Sequence, residues 1–208
     1  ASFIPTMWDK VLTINMVTYF KQTDRLLLPI PRLFKRLLDL AICAVCSTII
    51  IPVFVVCSAL VRISSHGPIF FRSRRIGRGN RIFQMFKFRS MFVDSETRLD
   101  QYLDDNPEMR QEWKTTQKIK NDPRVTWIGH FMRRTSIDEL PHIMDVVRGK
   151  MSLVGPRPML VSEPDMYGER YPLYCRMRPG ITGLWKVSGR NNTTHEQRVQ
   201  LVTYYVQN

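Results

Sequence analysis

The stretch "LAICAVCSTIIIPVFVVCSALV", residues 40–61, is uncharged from end to end. As a helix it is long enough to cross a hydrocarbon core, which takes roughly 20 residues. Pro52 stands near its middle, where it deletes one backbone hydrogen bond and predicts a kink or a break. A basic and aromatic sequence precedes the run and no small-residue cleavage site follows it, so it does not read as a cleavable signal. Arg32, Lys35 and Arg36 lie before it. Arg62, Arg72, Arg74, Arg75, Arg78, Arg81, Lys87 and Arg89 follow it before Asp94 supplies the next acid. Two basic flanks fit poorly with a simple crossing under the positive-inside rule and better with a helix that enters, breaks at Pro52 and returns. A kinked span with incidental basic ends is the other reading, since spanning helices tolerate proline. The residues alone leave both open.

The whole chain has 208 residues, 44% of them hydrophobic, which is enough for one core with appendages. Its 31 Lys and Arg against 18 Asp and Glu give a formal charge of +13. That balance favours a polyanionic partner: nucleic acid, an anionic membrane face or phosphorylated substrates. Cys43, Cys46 and Cys57 fall inside the apolar run and only Cys175 lies elsewhere, so they read as small packing residues and not as a disulfide framework. Cys43 and Cys46 have metal-ligand spacing, but no second pair completes a site. His66, His130, His142 and His195 match no zinc or triad spacing.

Outside the run, residues 1–32 read as a linker or the tail of an upstream region, ending in Pro29 and Pro31. "IFFRSRRIGRGNRIFQMFKFRSM" has two partly alternating aromatic arms about Gly77-Arg78-Gly79-Asn80, which predicts a β-hairpin. Residues 94–120 have helical periodicity and end at the Asn121-Asp122-Pro123 turn. Beyond residue 150 the Pro- and Gly-rich runs predict ordered loops, with helical pattern returning at 193–206. No nucleic-acid motif or clear stacking platform is present, which weighs against a basic surface module that only binds nucleic acid or lipid.

Within "RRTSIDELPH", Ser136 to Glu139 fits a capping box, and two carboxylates in a first turn suit the helix dipole. Pro141 spoils that account, because it deletes a helix bond or the N–H that a capping Asp138 would need. Adjacent helical residues point about 100° apart, so Asp138 and Glu139 must have different jobs. An aspartate can attack phosphorus if cations and a divalent metal neutralise the approach. Arg133 and Arg134 precede the pair, and Pro156 and Pro158 restrict the backbone around Arg157 as bidentate phosphate recognition requires.

Taken together, "KFRSM" (87–91), "NDPRVTWIGHFMRRTSIDELPHIMDVVRGKMSLVGPRP" (121–158), "RPGITGLWKVSGRN" (178–191) and "YYVQN" (204–208) closely resemble the bacterial sugar transferase family. These are the monotopic polyprenyl-phosphate phosphoglycosyl transferases that start O-antigen, capsule and exopolysaccharide synthesis. The likeness runs from about Phe34 to the end of the chain. It implies an α+β, mainly helical enzyme: a re-entrant membrane hairpin over 33–65 broken at Pro52, then a cytoplasmic catalytic domain over 66–208 carrying the β-hairpin. It implies transfer of a sugar phosphate from a UDP-sugar to undecaprenyl phosphate with Mg²⁺ and release of UMP, at the cytoplasmic face of the bacterial inner membrane. By the same resemblance Asp138 is the covalent nucleophile, and Glu139 is needed for activity and, with Asp138, for metal. Lys87, Arg133 and Arg157 are expected on phosphates or metal, and Arg190 on the nucleotide-sugar. Lys35 and Arg36 match the basic start of the membrane helix, and larger members add upstream spans and form homodimers. Lys150 departs from a common family Asp, and His142 and Asp145 stand where Gln and Asn are common.

Overall fold

A computed structural model describes residues 28–116, 119, 122–188 and 194–207. It begins with one helix, α1 (Pro29–Ser64), which is long and apolar enough to cross a membrane. Pro29 and Pro31 lie in the first turn of this helix, which therefore begins four residues before the expected residue 33. The reason is that proline lacks only an N–H that the first turn would leave unpaired anyway. The expected break at Pro52 is absent too: the backbone stays helical through it, so the helix-break-helix becomes a single 36-residue helix containing a proline. Deleting one N–H leaves the rest of the hydrogen-bond ladder in place. Just upstream, the Ser47 and Thr48 hydroxyls donate to the Ala44 and Val45 carbonyls.

Both arms of α1 pack on the same globular body. Cys43 joins a cluster with Phe83, Met85, Val146 and Met151, and Cys57 and Val61 join another with Phe88, Ile128 and Met132. The cysteines are thus small apolar packing residues, as their setting suggests. Between these contacts large apolar side chains are left exposed, Val45 at 75% and Ile49 at 72%, as a helix facing water rarely leaves them.

The expected hairpin forms from β1 (Phe70–Ile76) and β2 (Ile82–Phe88), antiparallel with Phe70 opposite Phe88 and Ile76 opposite Ile82. Its turn places Gly79 and Asn80 at positive φ, which their residue types favour. The strands are followed by α2 (Ser95–Asp105), α3 (Pro107–Thr116), α4 (Trp127–Thr135) and α5 (His142–Val147). Two short strands come next, β3 (Ser152–Val154) and β4 (Met159–Leu160), then α6 (Tyr171–Cys175), β5 (Gly180–Thr182), α7 (Leu184–Val187) and α8 (His195–Gln207). β4 extends the hairpin beside β1, and β3 pairs in parallel with β5. A third cluster joins Ile76, Met159, Tyr174 and α8 through Val199, Val202 and Val206. The described chain is therefore mainly helical with a few strands, in line with the expected α+β class.

Candidate active site

Four segments wall an open cavity of about 350 Å³. The hairpin supplies the first wall. Alternation along β2 puts Met85 and Lys87 on one face, and Arg75 lies on that face because it sits directly opposite Phe83. All three line the cavity.

The second wall is the acidic pair. Thr126 caps α4 by accepting from the Gly129 N–H at 3.0 Å, and the helix ends at Ser136, which adopts φ 60°. Ser136 precedes only a short 3₁₀ turn, and its side chain makes no cap hydrogen bond there, so it does not cap the α-helix the sequence suggested. Asp138 and Glu139 ride instead on a single 3₁₀ turn, Ile137–Glu139, and α5 begins after Pro141. Pro141 dictates this: with no N–H to give, it belongs at a helix start and not four residues inside one. Ile137 and Leu140 pack inward on the Phe88 cluster while the two carboxylates face the cavity.

Cations surround those carboxylates. The Lys87 ammonium lies 3.9 Å from Asp138 and 3.4 Å from Glu139, bridging the pair. Lys186, on α7, donates to the other Glu139 oxygen at 2.5 Å. Arg133 lines the cavity from the last turn of α4, its Nε donating to the Ser90 hydroxyl at 2.8 Å. Arg157 lines it from the loop before β4, steadied by Glu163 at 3.3 Å. With Arg75 these make five cations against two carboxylates among the described residues lining the cavity. The expected Lys87, Arg133, Asp138, Glu139 and Arg157 are thus brought together. Arg190 falls outside the described residues. Lys35 and Arg36 lie elsewhere and turn onto the globular body: Lys35 donates to Ser152, and Arg36 to the Val146 and Val147 carbonyls at 2.6 and 3.0 Å.

The environment separates the two acids. Burial pushes the Asp138 carboxyl above its ordinary value, with the nearby Lys87 charge opposing that and Glu139 adding to it. Burial also acts upward on Glu139, but the hydrogen bond from Lys186 and the charge of Lys87 outweigh it and hold that carboxyl low. His142, on the same wall, is driven down to about 4 by burial and then by Lys87, so its imidazole is neutral near pH 7. No group of three or more metal-ligating side chains occurs among the described residues. Mg²⁺ does not need one, since it is held by one or two carboxylates together with substrate phosphates and water. The hard oxygens of Asp138 and Glu139 fit that pattern.

Sequence reasoning missed Lys186 and Arg75. Lys186 stands inside the "RPGITGLWKVSGRN" segment, and Arg75 shares a strand face with Lys87 through the hairpin register.

The cavity is basic overall and centred on two carboxylates, in a chain that also carries one helix long and apolar enough to cross a membrane. Residues 30–208 match the family described as Bacterial sugar transferase, and the chain belongs to that family, within the phosphoglycosyl transferase class. It is similar to the exopolysaccharide production protein ExoY of Sinorhizobium fredii, with 41% identity across 86% of this chain and 80% of that protein. It is 45% identical to the UDP-galactose-lipid carrier transferase of Erwinia amylovora, across 85% of this chain and 37% of that one. With the undecaprenyl-phosphate galactose phosphotransferase of Salmonella typhimurium the identity is 44%, across 68% of this chain and 30% of the relative.

Proposed function

We propose that this chain transfers a sugar phosphate from a UDP-sugar to undecaprenyl phosphate by double displacement through Asp138. The observation that carries the reading is the placement of Asp138 beside Glu139 in a cavity walled by Arg75, Lys87, Arg133, Arg157 and Lys186. In the first step an Asp138 oxygen attacks the β-phosphorus of the donor. The bond from that phosphorus to the bridging oxygen breaks, and UMP leaves with the electron pair. In the second, a phosphate oxygen of undecaprenyl phosphate attacks the same phosphorus, the Asp138–phosphorus bond breaks, and the carboxylate is regenerated. Lys87 and the arginines offset the repulsion between carboxylate and diphosphate, which at about 4 Å and an effective dielectric of 20 is roughly 4 kcal/mol for each pair of unit charges. Mg²⁺, when bound at Asp138 and Glu139, supplies further neutralisation of the phosphate oxygens.

The acceptor meets the site from the membrane. Because Cys43, before Pro52, and Cys57 and Val61, after it, pack on one globular body, the contacts favour a re-entrant placement over a crossing; in this reading α1 stays helical but bends at Pro52 to dip into and leave the same face. The two basic flanks support placing that face in the cytoplasm, at the bacterial inner membrane in this reading.

Incubation with UDP-sugar radiolabelled in the sugar, without lipid acceptor, tests the mechanism. The wild type retains label on the protein and releases UMP; Asp138→Asn retains none. Equal labelling of Asp138→Asn refutes the nucleophile. For topology, cysteines introduced at Leu28 and Ser65 are both expected to react from the cytoplasmic side alone, and reaction of one from each side refutes the re-entrant placement.

A further inference from the structure

The five cations lining the cavity fall into two sets. Lys87 and Arg133 are the cations whose charge acts on Asp138, and Lys186 and Lys87 those that act most on Glu139. Arg75 and Arg157 stand apart from the acids. Among the described residues no ion pair joins either of them to Asp138 or Glu139, and the neighbouring charges felt most by Arg75 are Arg157 and then Glu163.

Strand pairing assembles this second set. β4 lies against β1 with Leu160 opposite Arg75, which brings the segment just before β4, Arg157 and Pro158, back to the hairpin. There Arg75 donates through Nη1 to the Pro158 carbonyl at 3.2 Å, while its Nε is buried with no partner among the described residues. Arg157 donates to one Glu163 oxygen at 3.3 Å, and the other oxygen accepts from the Leu160 N–H at 2.7 Å. Two guanidinium groups therefore face one carboxylate that also serves the backbone. Burial, and then the Arg157 charge, press the Arg75 guanidinium below its ordinary value. Like charges are thus held close at a fixed place, at a cost that a bound anion relieves.

The double displacement proposed above, on which this inference rests, says which anions. In each displacement the entering and departing oxygens lie roughly in line across the phosphorus. UMP therefore departs from the side opposite Asp138. The phosphate of undecaprenyl phosphate, which has to break the Asp138–phosphorus bond, enters from that same side. Lys87, Arg133 and Lys186 are committed to the acids, so Arg75 and Arg157 are the lining cations that serve the opposite side. We propose that Arg75, with Arg157 beside it, is a phosphate subsite used twice: it holds the α-phosphate of the UDP-sugar as UMP leaves, then the phosphate of undecaprenyl phosphate as it attacks. In the first step the electron pair of the breaking bond stays on the bridging oxygen, which becomes a terminal oxygen of UMP, and fixed guanidinium donors stabilise the charge gathered there. In the second step the same donors offset the repulsion between the entering phosphate and the phosphosugar and aim the entering oxygen at the phosphorus.

The test uses the full chain in neutral detergent micelles, labelled from whichever of UDP-galactose, UDP-glucose and UDP-N-acetylglucosamine, radiolabelled in the sugar, releases UMP fastest. The labelled protein is freed of nucleotide, and loss of label is followed along three routes: to added UMP, to added undecaprenyl phosphate, and to water in buffer alone. Arg75→Gln, labelled by longer incubation, is expected to lose label to UMP and to the lipid each about 100-fold more slowly than the wild type. Its loss to water is expected to match the wild type, because water brings no phosphate charge. Arg75→Lys keeps the charge without the planar fork and is expected to fall between the two on the first two routes, which carries the same comparison if Arg75→Gln takes no label. Transfer to either UMP or the lipid within about threefold of wild type in Arg75→Gln overturns the shared subsite. Equal slowing of the water route overturns it too, since the effect then lies on the Asp138 linkage or on the fold. A wild type that releases UMP and never carries label overturns the double displacement itself, and the subsite with it; label on the wild type with either earlier outcome overturns the subsite alone.

Discussion

Replacing Lys186 by methionine tests the cavity at the residue that sequence motifs did not mark out. Its ammonium is 2.5 Å from Glu139, and the two side chains are only 16% and 22% exposed, so water compensates poorly for its loss. Two consequences follow. The cavity goes from five cations to four, and removal of one fixed donor from a site where phosphate charge develops costs about 100-fold or more in turnover, near 2.7 kcal/mol. Glu139 also loses the strongest influence holding its carboxyl low, leaving Lys87 at 3.4 Å to oppose burial. Its pKa therefore rises, and the acid limb of the rate profile moves to higher pH. UMP release from a UDP-sugar, measured between pH 5 and 8 with undecaprenyl phosphate present, reads both effects. Lys186→Arg keeps the charge and is expected to recover most of the loss. If Lys186→Met stays within threefold of wild type and its acid limb does not move, the ion pair is incidental and the assignment of α7 to the active site fails.

Other substitutions probe the frame that holds the site. His142 is neutral when folded, with its pKa lowered to about 4, while an unfolded imidazole titrates near 6.5. The unfolded chain therefore binds more protons in that window, and stability is lost as pH falls through it. Denaturant unfolding is expected to give about 2 kcal/mol less at pH 5 than above pH 7, a difference that His142→Gln removes. At Gly129 an added Cβ would lie 2.0 Å from the Ser90 carbonyl oxygen, so Gly129→Ala is expected to cost about 3 kcal/mol or more in the same assay. The buried Tyr174 hydroxyl accepts from the Met159 N–H at 2.9 Å and donates to the Ile76 carbonyl at 3.0 Å. Tyr174→Phe strands both partners, with an expected loss of about 1–3 kcal/mol that leaves the pH profile of UMP release unchanged.

What the sequence made legible was local. The apolar helix follows from an uninterrupted hydrophobic run, the hairpin from alternating arms about a glycine turn, and α8 from its own periodicity. Asp138 could be singled out because Pro141 made the capping account incomplete. The end of that account was misread, since a serine before two acids suits both an N-cap and the left-handed residue closing a helix, and only the packing of Ile137 and Leu140 decides. Pro29 and Pro31 carried the same ambiguity between helix start and linker. Lys186 was illegible for another reason: it lies 47 residues from its partner, and no local pattern records a contact made by docking α7 against the 3₁₀ turn.

The membrane helix and the acidic turn are mechanically one unit. The turn lies between two core clusters, with Ile137 and Leu140 packed on the Phe88 cluster and Ile143, at the start of α5, on the Met85 cluster. Each cluster is completed by α1, the first through Cys57 and Val61 and the second through Cys43. Residues on both sides of Pro52 thereby fix the frame on which Asp138 is carried. Close packing transmits displacement rather than absorbing it, so a displacement of α1 must shift the acidic turn or open a core cluster. Under the proposed double displacement that constraint has a use, because Asp138 would have to stay at a fixed depth relative to a lipid phosphate confined to the membrane. Lys35, Arg36 and Asp39 add polar pins at the first arm, holding the helix to β3 and α5. In this arrangement the long apolar helix and the acidic turn move together, so the proposed anchor would also set the height of the proposed active site.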